Sequence, residues 1–142
     1  MRFMVIRRAD EETEAGVLPS EELLEAMRRY NEEMIKAGVM LSGDGLMASD
    51  KGAKVRFSGT GRTTVIDGPF AEAKELVAGY SIIEVDSLAD AVEWVKRWPV
   101  EDGHGNAVIE IRRIAEIDDF GDAMTDENRA HTQRLRDLTD GR

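Results

Sequence analysis

Apolar positions along this chain follow two different periods, and their order predicts the fold. In residues 1–8 both parities are apolar, with Phe3 and Val5 on one side and Met4 and Ile6 on the other. That is the pattern of a central strand with both faces covered. Residues 10–16 form a charged connector with no core content. Over residues 20–36 the period changes: Leu23, Met27, Tyr30 and Met34 recur at helical spacing, and Leu24 and Ile35 widen the stripe. Ser20 is placed to cap this helix, Glu21 and Glu22 sit where its dipole favours anions, and Gly38 suits a left-handed stop. Residues 39–46 read as a short strand. Residues 54–58 and 63–66 read as the arms of a hairpin turned by Gly59-Thr60-Gly61, and 79–85 as another strand. A second helix is expected over 87–98, with Ser87 and Asp90 as an approximate capping box. Leu88, Ala91, Val92 and Val95 form its stripe, and Pro99 ends it. A Gly-rich loop leads into a last strand over 106–114. Beyond Phe120 the chain is charged, with a helix expected over 126–138.

This order, β–α–β, a hairpin, then β–α–β, gives only two helices to serve the sheet. It predicts an α+β, ferredoxin-like βαββαβ sandwich with an inserted hairpin rather than a doubly wound sheet. Two helices cover one face, and the other must be polar or meet a partner. Side chains alternate along strands, so if Ile83 and Val85 face the helices, Tyr80, Ile82 and Glu84 face outward. By the same rule Ile109 and Ile111 point inward, and Val108, Glu110 and Arg112 outward. Such a face is too apolar to stay wet and too charged for a dry core. A symmetric homodimer closing two such faces around a polar-lined cavity reconciles the two. The competing view is a solvated sheet with chance apolar residues.

Composition narrows the options. A chain of 142 residues is near the common size of one domain and buries roughly 70% of its unfolded surface without staples. It has no cysteine, which excludes disulfides, thiolate zinc sites and a cysteine nucleophile. Asp and Glu outnumber Lys and Arg by 29 to 19, for a net charge of −10. With no Lys/Arg-rich block, that field repels a phosphate backbone, and nucleic acid is not an expected partner. No run of about 18 apolar residues exists to span a membrane, and residues 1–8 do not make a signal peptide. A cytoplasmic location is the expectation.

Two groups of side chains are candidates for chemistry. Asp67 ends a strand before a Gly-Pro turn, where a carboxylate could serve as a base or hold a ligand's donor; it could equally cap nearby backbone amides. Glu72, Lys74 and Glu75 follow it, with Lys74 placed to pair with Asp67 or take an anion, or simply to be solvated. Glu84, Tyr80, Glu110 and Arg112 on the open face form the second group. Charges withdrawn from water there must be paired, either as a site or as an interfacial salt bridge. Glu84 and Asp67 are the candidate catalytic bases. Other signals are weaker. Neither Gly43-Asp44-Gly45 nor Gly59-Thr60-Gly61 continues as a nucleotide-binding motif. His104 with Asp102 and Glu101 is a lone histidine on a loop; no metal and no cofactor are expected. Trp94 and Trp98 read as packing residues. His131, Arg129, Arg134 and Arg136 mix with Asp126, Glu127 and Asp137 on a solvated or partner-docking helix.

The stretch Asp67-Gly68-Pro69-Phe70-Ala71-Glu72-Ala73-Lys74-Glu75, with Gly79-Tyr80 after it and Ala37-Gly38-Val39 leading to Gly43-Asp44-Gly45-Leu46, resembles the DGPF-motif branch of the YCII-related family. The resemblance covers residues 1–114, leaving 115–142 as a charged, partly helical extension. It implies a dimeric α/β barrel of ferredoxin-like protomers and supplies no settled activity. Some YCII-like proteins carry a histidine–aspartate pair proposed as an active site. Here the only histidines, His104 and His131, lie elsewhere, so that mechanism does not carry over. Nor does this acidic chain support a role in transcription initiation. The expectation is a homodimeric, small-molecule-binding domain, with a cofactor-independent acid/base activity left open. The alternative is a non-catalytic dimeric interaction module.

Overall fold

A computed structural model describes residues 1–140, the side chain of Lys74 excepted. Its frame is a four-stranded antiparallel sheet: β1 (Arg2–Arg8), β2 (Met40–Gly45), β5 (Val77–Glu84) and β6 (Ile109–Arg113), in the order β2-β5-β1-β6. The helix α2 (Glu21–Lys36) joins β1 to β2, and α3 (Leu88–Val95) joins β5 to β6. Two interleaved β–α–β units thus share one sheet, the mixed α+β arrangement the alternating periods predict. The hairpin strands β3 (Ala53–Phe57) and β4 (Thr63–Asp67) form a separate two-stranded sheet, inserted between β2 and β5.

Both helices pack on the same face. Phe3, Val5, Ile83, Tyr30, Met34, Val39 and Ala91 form the buried core, with Trp94, Val95 and Trp98 packed against it. Phe3 and Ile83 are cross-strand partners and the largest fully buried side chains. The Tyr30 hydroxyl donates to the Trp94 carbonyl at 2.7 Å, and the Tyr30 ring meets Trp98 edge-on at 5.7 Å, tying α2 to α3. Ser20 caps α2 by accepting from the Leu23 amide at 3.1 Å, and Gly38 ends it at φ +71°. Among the described residues no helix is long and apolar enough to cross a membrane.

Several expectations need correction. The connector at 10–16 contains a short helix, α1 (Glu11–Glu14), because Asp10 and Thr13 cap each other reciprocally. Leu24, Ile35 and Leu88 are exposed: the buried stripes are narrower than their hydrophobicity suggests. The second helix stops at Val95 rather than 98. The Arg97 and Trp98 amides already bond three residues back, tightening the turn before Pro99. The last strand starts at Ile109 rather than 106, since Gly103, His104 and Gly105 all take positive φ and hold the preceding loop. Beyond β6, α4 (Asp126–Asp140) is fixed through Glu116, which accepts from both Arg2 and Arg136 at 3.2 Å.

Candidate functional site

The face of the sheet away from the helices is organised in rows. Residues directly opposite in register point to the same side, about 5 Å apart. One row runs Asp44, Tyr80, Ile6, Glu110 across all four strands; the next runs Ser42, Ile82, Met4, Arg112. Arg2 opposes Glu84 at one end, and Arg8 lies at the other. Met4, Ile6, Tyr80 and Ile82 thus make an apolar patch on the two central strands, each only half-buried. Polar and charged side chains ring it from the edge strands and from one end.

Tyr80, Ile82, Glu84, Glu110 and Arg112 therefore share one surface. Glu110 and Arg112 form an ion pair at 3.7 Å along β6. Ser42, Asp44 and Arg2 belong to this surface too and were not singled out from the sequence. The alternation continues onto β2, but Gly43 and Gly45 blank its inward positions, so the parity there has no apolar residues to mark it.

The other predicted group lies elsewhere. Asp67 ends β4, opposite Ala53 and exposed. Glu72 and Glu75 are exposed on the loop that enters β5, and the side chain of Lys74 lies outside the described residues. That loop meets the far end of the sheet, where the Ala9 amide donates to the Leu76 carbonyl at 2.8 Å. Glu84 is at the opposite end of β5, roughly 23 Å away at the rise of an extended strand. Within one copy the two candidate bases, Asp67 and Glu84, do not converge, because the hairpin carries one of them off the sheet.

What the Asp67-Gly68-Pro69-Phe70 stretch does locally is evident. The Gly68 amide donates to the Gly52 carbonyl at 3.0 Å, and the Phe70 amide to Ser49 Oγ at 2.9 Å. A Cβ on Gly68 would lie 1.7 Å from the Ser49 carbonyl oxygen, so only glycine fits. Glu14 holds Ser49 in turn, accepting from its amide at 2.9 Å and from its hydroxyl at 2.5 Å. Lys54 Nζ lies 4.3 Å above the Phe70 ring. The motif clamps the root of the hairpin to α1.

A second polar cluster sits on the helix side and was missed in the sequence. Arg7 shares parity with Phe3 and Val5 and is buried with them. Its guanidinium donates to both Asp102 oxygens at 2.9 Å and to Asp10 at 3.0 Å, and it also bonds the Arg8 carbonyl. Trp98 Nε1 donates to Asp102 at 2.9 Å. Burial alone would raise the Asp102 pKa, but the bonds from Arg7 and Trp98 outweigh it and hold the carboxyl below its ordinary value. Every oxygen here is engaged, which fits a structural pair. His104 instead meets Glu12 at 2.9 Å in the open, so Glu101, Asp102 and His104 do not converge on a cation. Among the described residues no group of three or more His, Cys, Asp or Glu side chains could hold a metal.

Comparison with known proteins adds the following. Among solved structures, 5-chloro-2-hydroxyhydroquinone dehydrochlorinase from Burkholderia phenoliruptrix AC1100, in complex with 2,5-dihydroxybenzoquinone, is similar at 14% identity and a TM-score of 0.47. The match covers 82% of this chain and 95% of that one. No curated protein matches in sequence. The profile of the YCII-related domain matches residues 1–118, most of the chain's length. This chain belongs to the YCII-related domain family.

Proposed function

We propose that this chain, as a DGPF-branch member, is a homodimeric small-molecule-binding domain. Its ferredoxin-like protomers close their open sheet faces on each other as a dimeric α/β barrel. The observation that carries the reading is the patch Met4, Ile6, Tyr80 and Ile82, ringed by Arg2, Ser42, Asp44, Glu84, Glu110 and Arg112, on the sheet face opposite the one against which α2 and α3 pack. Small-molecule sites have this composition: an apolar floor with a few polar groups that fix orientation. A second copy supplies the roof and excludes water, which strengthens every polar contact within.

The ligand class that fits is a compact molecule with an apolar or aromatic body and a polar or ionisable substituent. Tyr80 offers a ring and a hydroxyl. Asp44 and Glu110 stand at the two ends of one row, roughly 14 Å apart by strand spacing, too far to work as a pair within one copy. Glu84, opposite Arg2, is the carboxylate we assign as proton acceptor if the bound molecule is transformed; Asp67 lies outside the cavity in this reading.

A thermal-shift panel of small phenols and aromatic acids tests this. Stabilising compounds should be found, and they should lose their effect in Tyr80→Ala and Ile6→Arg chains that retain wild-type circular dichroism. Glu84→Gln should leave binding intact and remove any turnover. No stabilising compound, or compounds indifferent to both substitutions, would favour a non-catalytic interaction module.

A further inference from the structure

Among the described residues, the two strands of the hairpin are left almost wholly exposed, as an arm. A lone two-stranded sheet is marginal in water, yet one face of this one carries Val55, Phe57 and Val65 at 53%, 77% and 64% exposure, with Val55 directly opposite Val65. Exposed apolar groups gathered on one projecting element mark an interaction surface. The arm is also oddly charged. From residue 51 to 66 it carries Lys51, Lys54, Arg56 and Arg62 and no carboxylate, in a chain of net charge −10. Its root is locked by Gly68, Ser49 and Glu14, so it is held out rather than left to collapse.

A matching surface lies at the other end of the molecule. An open groove of about 600 Å3 runs between the end of α2 and α3, lined by Val39, Val85 and Trp94 and rimmed by Glu84, Asp86 and Asp90. The groove's own cations are already engaged: Lys96 with Glu93 at 2.8 Å, and Arg97 with Glu33 while lying over Trp94. Apolar floor and acidic rim thus complement apolar face and basic flanks. The arm root is at the Arg8 end of the sheet and the groove at the Glu84 end. A two-fold axis lying across the strands sets the Arg8 end of one copy beside the Glu84 end of the other, the ends that carry arm root and groove.

We infer that the arm docks in the acidic groove of a second copy of this chain, with Phe57 and Val65 entering beside Trp94, and that the Asp67-Gly68-Pro69-Phe70 clamp exists to present it. The inference rests on the reading that two copies associate, and it adds where they are latched.

The absence of native cysteine makes a pairwise cross-link clean. Differently tagged Phe57→Cys and Asp90→Cys chains, both exposed positions, are mixed and treated with a short bis-maleimide, with sedimentation run alongside. The expected result is a covalent heterodimer from this mixture and none from Phe57→Cys mixed with Ile82→Cys. Arg56→Glu together with Arg62→Glu should weaken association at least ~10-fold, and raised salt should do the same to the wild type. A persisting dimer without the Phe57–Asp90 cross-link overturns the latch and leaves the dimer reading standing. Cross-linking to Ile82→Cys instead places the arm on the open face and also overturns it. A monomer at every concentration overturns both. Retention of a labelled single-stranded oligonucleotide by the wild type, lost in the double Arg variant and without the cross-link, would assign the arm to a polyanion instead.

Discussion

The guanidinium of Arg7 and the carboxylate of Asp102 meet in a two-point bond, 2.9 Å at each contact, with both side chains almost wholly withdrawn from water. They are 95 residues apart in sequence. The pair joins the end of the central strand to the loop before the last strand, and so fixes how the second β–α–β unit closes on the first.

Removing one partner of such a pair strands the other charge in the interior. Asp102→Asn keeps the shape and removes the charge, and should cost about 3 kcal/mol of stability. Urea unfolding checks this; a change within experimental scatter would mean that Arg7 finds water or Asp10 at no cost.

The same pair sets an acid limit. Asp102 and Asp10 both titrate below the ordinary aspartate value of 3.8. A depressed folded pKa gives stability that is present above the unfolded value and lost as pH falls through the folded one. Wild-type stability should therefore fall steeply on acidification below pH 3.8, and the Asp102→Asn chain less so, in urea melts taken at successive pH values. Parallel acid limbs would show that this carboxylate is not responsible.

At the alkaline end the relevant group is Tyr30. Burial pushes its hydroxyl up to about 12; the charge of Arg97 opposes the shift and that of Glu33 adds to it. A raised folded pKa gives stability that is full below the unfolded value of 10.0 and lost as pH rises toward 12. Absorbance at the phenolate band should show a late-titrating tyrosine that is missing from Tyr30→Phe. That variant should also lose about 1 kcal/mol, for the hydrogen bond to the Trp94 carbonyl.

Gly68→Ala asks whether the clamp holds the arm. The added methyl overlaps the Ser49 carbonyl, and the root must shift, at about 2 kcal/mol. Trypsin should then cut faster at Arg56 and Arg62, while the central sheet keeps its amide protection. Unchanged cleavage would show that the arm is held by something other than its root.

Much of this was legible from alternation alone. The parity that puts Ile83 on the helices puts Tyr80, Ile82 and Glu84 on the open face, and the register agrees. Arg7 obeys the same rule, but a charge at a strand end carries no apolar signal of burial, and its partner lies in a loop, where no periodicity points inward. Ser42 and Asp44 are hidden because their inward neighbours, Gly43 and Gly45, carry no apolar side chain to mark the parity. The separation of Asp67 from Glu84 could not be read either, since an inserted hairpin leaves no trace in sequence of the direction it takes.

The most direct test is sedimentation velocity of the wild-type chain beside Ile82→Arg, which places a charge at the centre of the open apolar patch without touching the core. The expected result is two copies for the wild type at tens of micromolar and one for the variant, with identical circular dichroism. A wild-type chain that sediments as a single copy throughout that range would contradict the proposal that a second copy covers this face, and with it the cavity.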